Sequence, residues 1–420
     1  MALHRDDAAR GPAGAAALPG VLALLGVLVL LAAVIGGWFA VGSLTADEDP
    51  GQVADHTART VEDTSGDTSG DTSGDTSGDT GAHPSAARDS EAADRGRGDD
   101  APTLDPDTEV SLAVVGDIML SRAVGERMDS DGTEAVLAGV REQLRDADLT
   151  IGNLESPLCE GGTPAPKRFT LKADPVGLEV LEDGSFDVLS LANNHILDYG
   201  SECMDSTIEL LDDAGIDHVG AGASIDEARE PLIVESKGMR IAFLSYLQMP
   251  VERSGFDSRT WTATTDSPGL PWATPEVITE DVEAATSQAD HVIVLLHSGW
   301  EKTETLSPEQ QAAGEAALEA GATAVLGAHP HRLQAHHDED GSFVAWSMGN
   351  FVFDYPDGTP ESDSAILHLT LGPEGVTKHE WTPIIIQDGF PKALDPDEGD
   401  GARILATLDR MSAEYAATRD

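Results

Sequence analysis

The chain has 420 residues, enough for one large domain or two ordinary ones. Asp and Glu outnumber Lys and Arg 76 to 25, a formal net charge of −51. A surface this negative repels nucleic acid and anionic lipid, so nucleic-acid binding is excluded as a function class and the excess reads as a solvated acidic coat.

Residues 1–17 form a short tail, and 18–44 read LPGVLALLGVLVLLAAVIGGWFAVGSL with no charge. That run exceeds the roughly 20 apolar residues a membrane helix needs and is longer than the apolar part of a cleavable signal peptide. A single uncleaved transmembrane anchor is therefore expected, with Trp38 and Phe39 at its outer interface. Arg5 and Arg10 precede it and acids follow it, which places the amino terminus inside and the rest of the chain outside the cell membrane. Residues 45–109 carry DTSG four times over from Asp63 to Gly78, too polar to offset the entropy of ordering. They are predicted to be a disordered acidic linker, although a neutral expansion explains the repeat equally well.

From Val110 the texture changes. Short apolar runs at 110–115, 149–151, 188–191, 241–246, 292–296 and 324–326 read as buried strands. Helical patterns at 201–214, 275–288 and 308–320 lie between several of them, and this alternation predicts an α/β layered fold over 110–420. Runs at 343–347, 365–371 and 379–387 read as consecutive strands, an antiparallel edge or second sheet, and 401–417 as a closing helix.

Five motifs each follow a predicted strand: GDIML (116–120), GNLES (152–156), ANNH (192–195), HSGWE (297–301) and GAHPH (327–331). In α/β sheets the crevice beyond the strands' carboxyl ends is where sites assemble. Singly, each motif has a plain alternative: Asp117 as a helix cap, Asn193 and Asn194 as turn formers, His329 and His331 as turn residues. Jointly they offer carboxylate, amide and imidazole donors without cysteine, a set suited to Mn, Fe or Zn rather than to Ca. Arg122 and Lys172 are candidates to hold a substrate carboxylate or phosphate, with Asn153, Asn193 and Glu301 as further candidates at the substrate. His218 and His291 read as core-edge side chains, while one of His336 and His337 is a candidate to face the site. Trp346, Phe351 and Phe353 read as core, and Asn350 as either a turn residue or a site contact.

These motifs, together with ADLTIGNLESPL, FDVLSLANNHILDYG, AGIDHVGAG and WSMGNFVFD, resemble the CapA family of poly-γ-glutamate capsule proteins from about residue 112 to residue 354. That family is similar to calcineurin-like metallophosphoesterases, which implies a sandwich of two mixed β-sheets flanked by helices. The resemblance implies one or two divalent metal ions held by Asp117, Glu155, Asn194, His297, His329 and His331, with His195 facing the substrate as the catalytic group. Glu155 stands where a bridging carboxylate or amide usually joins two metals. Two departures matter: Met119 replaces the first-motif histidine, and Ser298 replaces the tryptophan of HWGxE, with Glu301 kept.

The resemblance further implies a membrane-associated component of capsule poly-γ-glutamate synthesis or export, with polymer and synthase subunits as partners. Two functions remain open. One is a metal-dependent hydrolase of a phosphoester or amide bond; the other is a non-enzymatic accessory subunit that binds polymer and keeps the fold as scaffold. The retained histidines favour the first and Met119 the second. Finally, the chain has two cysteines, Cys159 and Cys203, each following a motif assigned to the same cleft. In an oxidising compartment they are expected to pair, the alternative being two unrelated buried thiols.

Overall fold

The computed structural model describes residues 104–419. The expected anchor at 18–44 lies outside the described residues, as does the linker up to residue 103. Among the described residues no helix is long and apolar enough to cross a membrane.

Strands are numbered in chain order. The first sheet runs β14 (Phe390–Ala393), β13 (Gly375–Gln387), β12 (Asp363–Gly372), β1 (Val110–Ile118), β2 (Leu149–Leu154), β3 (Val188–Ser190) and β4 (Asp217–Val219). Its β1 to β4 half is parallel, and β12 to β14 are antiparallel additions. The second sheet runs β5 (Leu232–Ser236), β6 (Met239–Gln248), β7 (His291–Ser298), β8 (Ala324–Ala328), β10 (Ser342–Ala345) and β9 (His336–Glu339). Here β6, β7, β8 and β10 are parallel, and the edge strands β5 and β9 are antiparallel. Both sheets are mixed. The late strands do not form one meander: β10 pairs with β8 in the second sheet, whereas β12 and β13 extend the first.

The near-continuous apolar runs of β1 and β7 follow from burial on both faces. On β1, Leu112 and Val114 face an inter-sheet layer with Ile151, Phe243, Ile293 and Leu326, while Ala113 and Val115 face a helix-side core. A third core lies between the second sheet and its helices, where Trp346, Ile278 and Leu408 are buried. Each such aliphatic side chain contributes about 1.5–3 kcal/mol on burial. The fold is thus two sheets face to face with helices on the outside. Helix ends are set locally. Gly215 closes Ser201–Ala214 in the left-handed conformation. Thr274 caps Pro275–Thr286, and a Ser307–Gln310 capping box opens Pro308–Glu319.

Near its end β1 changes partner. Val110 to Val114 pair with β12, but Asp117 and Ile118 pair in parallel with β11 (Asn350–Val352). Gly116 makes the exchange possible, since a Cβ there would lie 1.9 Å from the Gly349 carbonyl oxygen, and Asp117 N–H donates to that same oxygen. Gly116→Ala is therefore expected to destabilise the fold by about 1–3 kcal/mol, the usual cost of overpacking. Gly161→Ala, whose Cβ meets nothing within 4 Å, should stay near neutral. Urea unfolding of the two variants checks the contrast.

Candidate metal centre

The motif residues converge at the carboxyl ends of parallel strands drawn from both sheets. Asp117 lies at the end of β1, Glu155 follows β2, and Asn193 to His195 follow β3. His297 lies near the end of β7, and His329 and His331 follow β8. A second tight backbone approach aims that last turn: a Cβ on Gly327 would sit 1.9 Å from the Trp346 carbonyl oxygen. His329 and His331 then take positive φ angles of 96° and 56°. Such backbone costs roughly 1–3 kcal/mol at a non-glycine residue and persists where the surroundings over-determine it.

Asp117, Glu155 and His331 each offer one ligand atom, and these atoms lie within 4.8 Å of one another. All three residues are buried. His331 Nδ1 lies 3.2 Å from Asp117 Oδ2 and 2.9 Å from Asn350 Oδ1, while its Nε2 is 3.9 Å from Glu155 Oε1. His297 Nε2 stands 4.0 Å from the same oxygen, 2.8 Å from Asn194 Oδ1 and 3.1 Å from His329 Nδ1, and its Nδ1 is 4.0 Å from Asp117 Oδ1. Glu155 is therefore common to two groups of donors.

Its chemistry is unusual for an interior residue. Glu155 is fully buried, yet neither carboxylate oxygen has a hydrogen-bond partner. Buried carboxylates are normally paired, hydrogen-bonded or bound to metal, so this group has the character of a ligand awaiting a cation. Burial, reinforced by the Asp117 charge, pushes its carboxyl well above the ordinary carboxylate range. Burial opposes a charged His331, but Glu155 and Asp117 outweigh it and carry the imidazole up to about 9. Desolvation instead takes His329 down to about 4 and His297 well below its usual value. The buried carboxylates of Asp117 and Glu155 beside the His331 imidazole offer the place a divalent cation would take. Oxygen and imidazole donors of this kind fit Mn, Fe or Zn.

His195 is placed differently. Its Nδ1 lies 2.5 Å from Asp198 Oδ2, and its Nε2 is 3.9 Å from Glu155 Oε1. The Asp198 carboxylate accepts from Nδ1–H, which leaves Nε2 facing the cluster. Desolvation lowers the His195 pKa. Asn153 and Asn193 are buried struts rather than open contacts. The Asn153 amide donates to Asp117 Oδ1 and lies 3.3 Å from His297 Nδ1; Asn193 donates to the Leu154 carbonyl and accepts from His195 N–H and Ile196 N–H.

The other expected substrate contacts have partners of their own. Arg122 is bound by Asp354 and lies over the Phe353 ring. Lys172 donates to the Glu160 and Gly161 carbonyls and lies over Tyr199, so its charge is engaged on the neighbouring loop. Glu301 is exposed; desolvation raises its carboxyl, but His329, His331 and His195 prevail and hold it below the usual range. His336 does not face the site: it packs on Phe343, His379 and Trp381 near the sheet edge, and His337 lies beside Tyr415. His291 is a core-edge side chain bonded to the Gly372 carbonyl, and His218 pairs with Asp212. Phe351 and Phe353 are both core, and Phe353 also stacks on Tyr355 with both rings against His331. Met119 is buried and its sulfur accepts from Ser121, so it belongs to the helix-side core.

Motif reading did not single out Asp198 and Lys167. Asp198 lies three residues after His195 and orients it, a spacing the sequence displays. Lys167 comes from a distant loop and has no comparable local signal. Cys159 and Cys203 are bonded, with Cα atoms 5.4 Å apart, and tie the loop after Glu155 to the helix after His195.

Comparison with known proteins gives the family. Residues 111–355 match the family model described as bacterial capsule synthesis protein PGA_cap. The chain is 32% identical over 294 residues to the capsule biosynthesis protein CapA of Bacillus anthracis, covering 68% of this chain and 70% of that one. It is 31% identical over 309 residues to the PGA biosynthesis protein CapA of Bacillus subtilis (strain 168), covering 73% and 79%. A probable polyglutamine synthesis accessory protein of Mycobacterium tuberculosis (strain ATCC 25618 / H37Rv) is 28% identical over 237 residues, covering 53% and 61%. The chain therefore belongs to the bacterial capsule synthesis protein PGA_cap family.

Proposed function

We propose that this protein is a membrane-anchored, extracytoplasmic hydrolase of capsule poly-γ-glutamate synthesis or export that depends on divalent metal and cleaves a phosphoester or amide bond. The observation that carries the reading is Glu155, a buried carboxylate whose two oxygens accept no hydrogen bond, among Asp117, His331 and His297. Asp117, Glu155 and His331 would hold one ion; Glu155, Asn194, His297 and His329 are the donors for a second. A bound ion supplies Lewis acidity, polarising the attacked group and acidifying water.

The chain's own residues do the rest. Asp198 holds the Nδ1–H of His195, so Nε2 is the atom that would take a proton from the attacking water and return it to the leaving group. Burial of the cluster excludes bulk water and strengthens each charge interaction. Glu301, at the exposed end of the HSGWE turn, supports His329 and His331 electrostatically. The calcineurin-like layout that the motifs resemble supports the same assignment, and the uncharged run at 18–44 supports the anchor.

One observation favours a second reading. Met119 turns its sulfur to Ser121 within the core, so the position where phosphoesterases keep a histidine supplies no ligand. A polymer-binding accessory subunit that keeps the fold is the alternative, in line with the printed name of the mycobacterial relative. Metal analysis of the purified full-length chain, followed by hydrolysis of a model phosphodiester with Mn²⁺, separates them. Stoichiometric metal with turnover supports the hydrolase; metal without turnover on phosphodiester or amide substrates supports the accessory subunit.

A further inference from the structure

Lys167 is a buried cation that the chemistry above does not use. Its side chain is 1% exposed, on a segment whose neighbours Arg168 and Phe169 are exposed. The ammonium lies 2.5 Å from the Asn194 carbonyl oxygen, 2.9 Å from Asp198 Oδ1 and 3.2 Å from Glu252 Oε1. The ammonium donates a hydrogen bond to the Asn194 carbonyl and forms ion pairs with the Asp198 and Glu252 carboxylates. The rings of Trp261 and Phe256 lie 5.1 Å and 5.6 Å from the nitrogen and close the remaining side.

The three oxygens belong to two parts of the protein, the turn that carries Asn194, His195 and Asp198 and the loop that carries Glu252. Asn194 presents its side-chain oxygen to His297, while its own carbonyl is held by Lys167. Asp198 presents Oδ2 to His195 and to Leu171 N–H, while Oδ1 is held by Lys167. Asp198 Oδ1 and Glu252 Oε1 are buried and accept no hydrogen bond, so the Lys167 charge is what compensates them. Both members of the Asn194–His195 pair are thus fixed by one ammonium, the first through its main chain and the second through Asp198. Ala165 N–H and Thr163 N–H also bond the Asp198 and Tyr199 carbonyls, so the segment lies along the turn it positions.

We propose that Lys167 is a positioning residue of the metal centre: it sets the place of Asn194 as a ligand and of His195 beside it, and binds neither metal nor substrate. The inference rests on the metal-centre reading proposed above. Partners behind the ligands of a metal site typically account for about 10–100-fold in metal affinity.

The test is Mn²⁺ titration of the full-length chain by calorimetry, together with the visible absorption of the Co²⁺ form. Lys167→Met is expected to weaken Mn²⁺ affinity by about 10–100-fold and to alter the Co²⁺ bands as Asn194 shifts, with the far-ultraviolet circular dichroism retained. Because Lys167→Met leaves Asp198 buried without its cation, the deciding variant is Lys167→Met combined with Asp198→Asn, which neutralises both sides. The same weakening and altered bands are expected of it. A purely structural strut would lower the unfolding temperature and leave affinity and spectrum unchanged; wild-type affinity and spectrum in the folded double variant would overturn the proposal. If the wild-type chain itself binds no Mn²⁺, the metal-centre reading fails and this inference falls with it. Wild-type binding with unaffected variants sinks the Lys167 assignment alone.

Discussion

His195→Ala is expected to lower metal-dependent phosphodiester turnover by about 10²–10⁴-fold, the usual worth of a positioned acid–base group. Metal content should stay at the wild-type level. Asp198 occupies Nδ1 at 2.5 Å, and the resemblance assigns Nε2, 3.9 Å from Glu155, to the substrate rather than to a metal. Loss of the imidazole therefore removes a proton carrier and leaves Asp117, Glu155, His297, His329 and His331 in place. Steady-state kinetics with metal analysis of the same preparation decides it. A variant that loses metal along with activity would make His195 a ligand, and one that keeps full turnover would remove it from the mechanism.

The second large effect concerns the covalent tie. Cys159→Ser with Cys203→Ser is expected to destabilise the domain by about 4 kcal/mol in the chain-entropy model, given the sequence separation of 44. The closed loop holds Lys167, Asn194, His195 and Asp198, so the looser chain should also bind Mn²⁺ less tightly. Leu158 N–H, next to Cys159, is held by Thr207 in the helix that carries Cys203, and that contact survives the substitution. The variant is therefore expected to fold, with a lower midpoint in urea. An unchanged midpoint, or two titratable thiols in the unreduced wild-type protein, would show that the bond contributes nothing in solution.

Much of the architecture is legible in the sequence because its signals are local. The helix at 201–214 matches the structure at both ends, where Gly200 and Gly215 punctuate the pattern. The strand cores of β1, β2, β6, β7 and β8 are visible as apolar runs because both faces of each sheet are covered. The motifs mark the strand ends, and the structure gathers Asp117, Glu155, His297, His329 and His331 there. What stays hidden is non-local. Strand β11 is three residues long and is defined by its pairing with Asp117 and Ile118, which no local pattern records. The runs at 343–347 and 365–371 look alike, yet the first joins β8 and the second joins β1. Lys167 and Asp198 lie 31 positions apart, and a buried ion pair between them has no signature in either neighbourhood. Lys172, in the same KRFTLK stretch, looks like the better ligand-binding lysine until the Glu160 and Gly161 carbonyls are seen to hold it.

The central claim is that the buried donors around Glu155 take up divalent metal, and crystals grown with Mn²⁺ test it most directly. An anomalous difference map at the manganese edge should show a peak within about 2.0–2.3 Å of Asp117, Glu155 and His331 donor atoms, the span of ordinary metal–ligand bonds. A second peak, toward Asn194, His297 and His329, would give the two-ion form. A map with no anomalous density at Glu155, from protein saturated with Mn²⁺ in solution, would contradict the account.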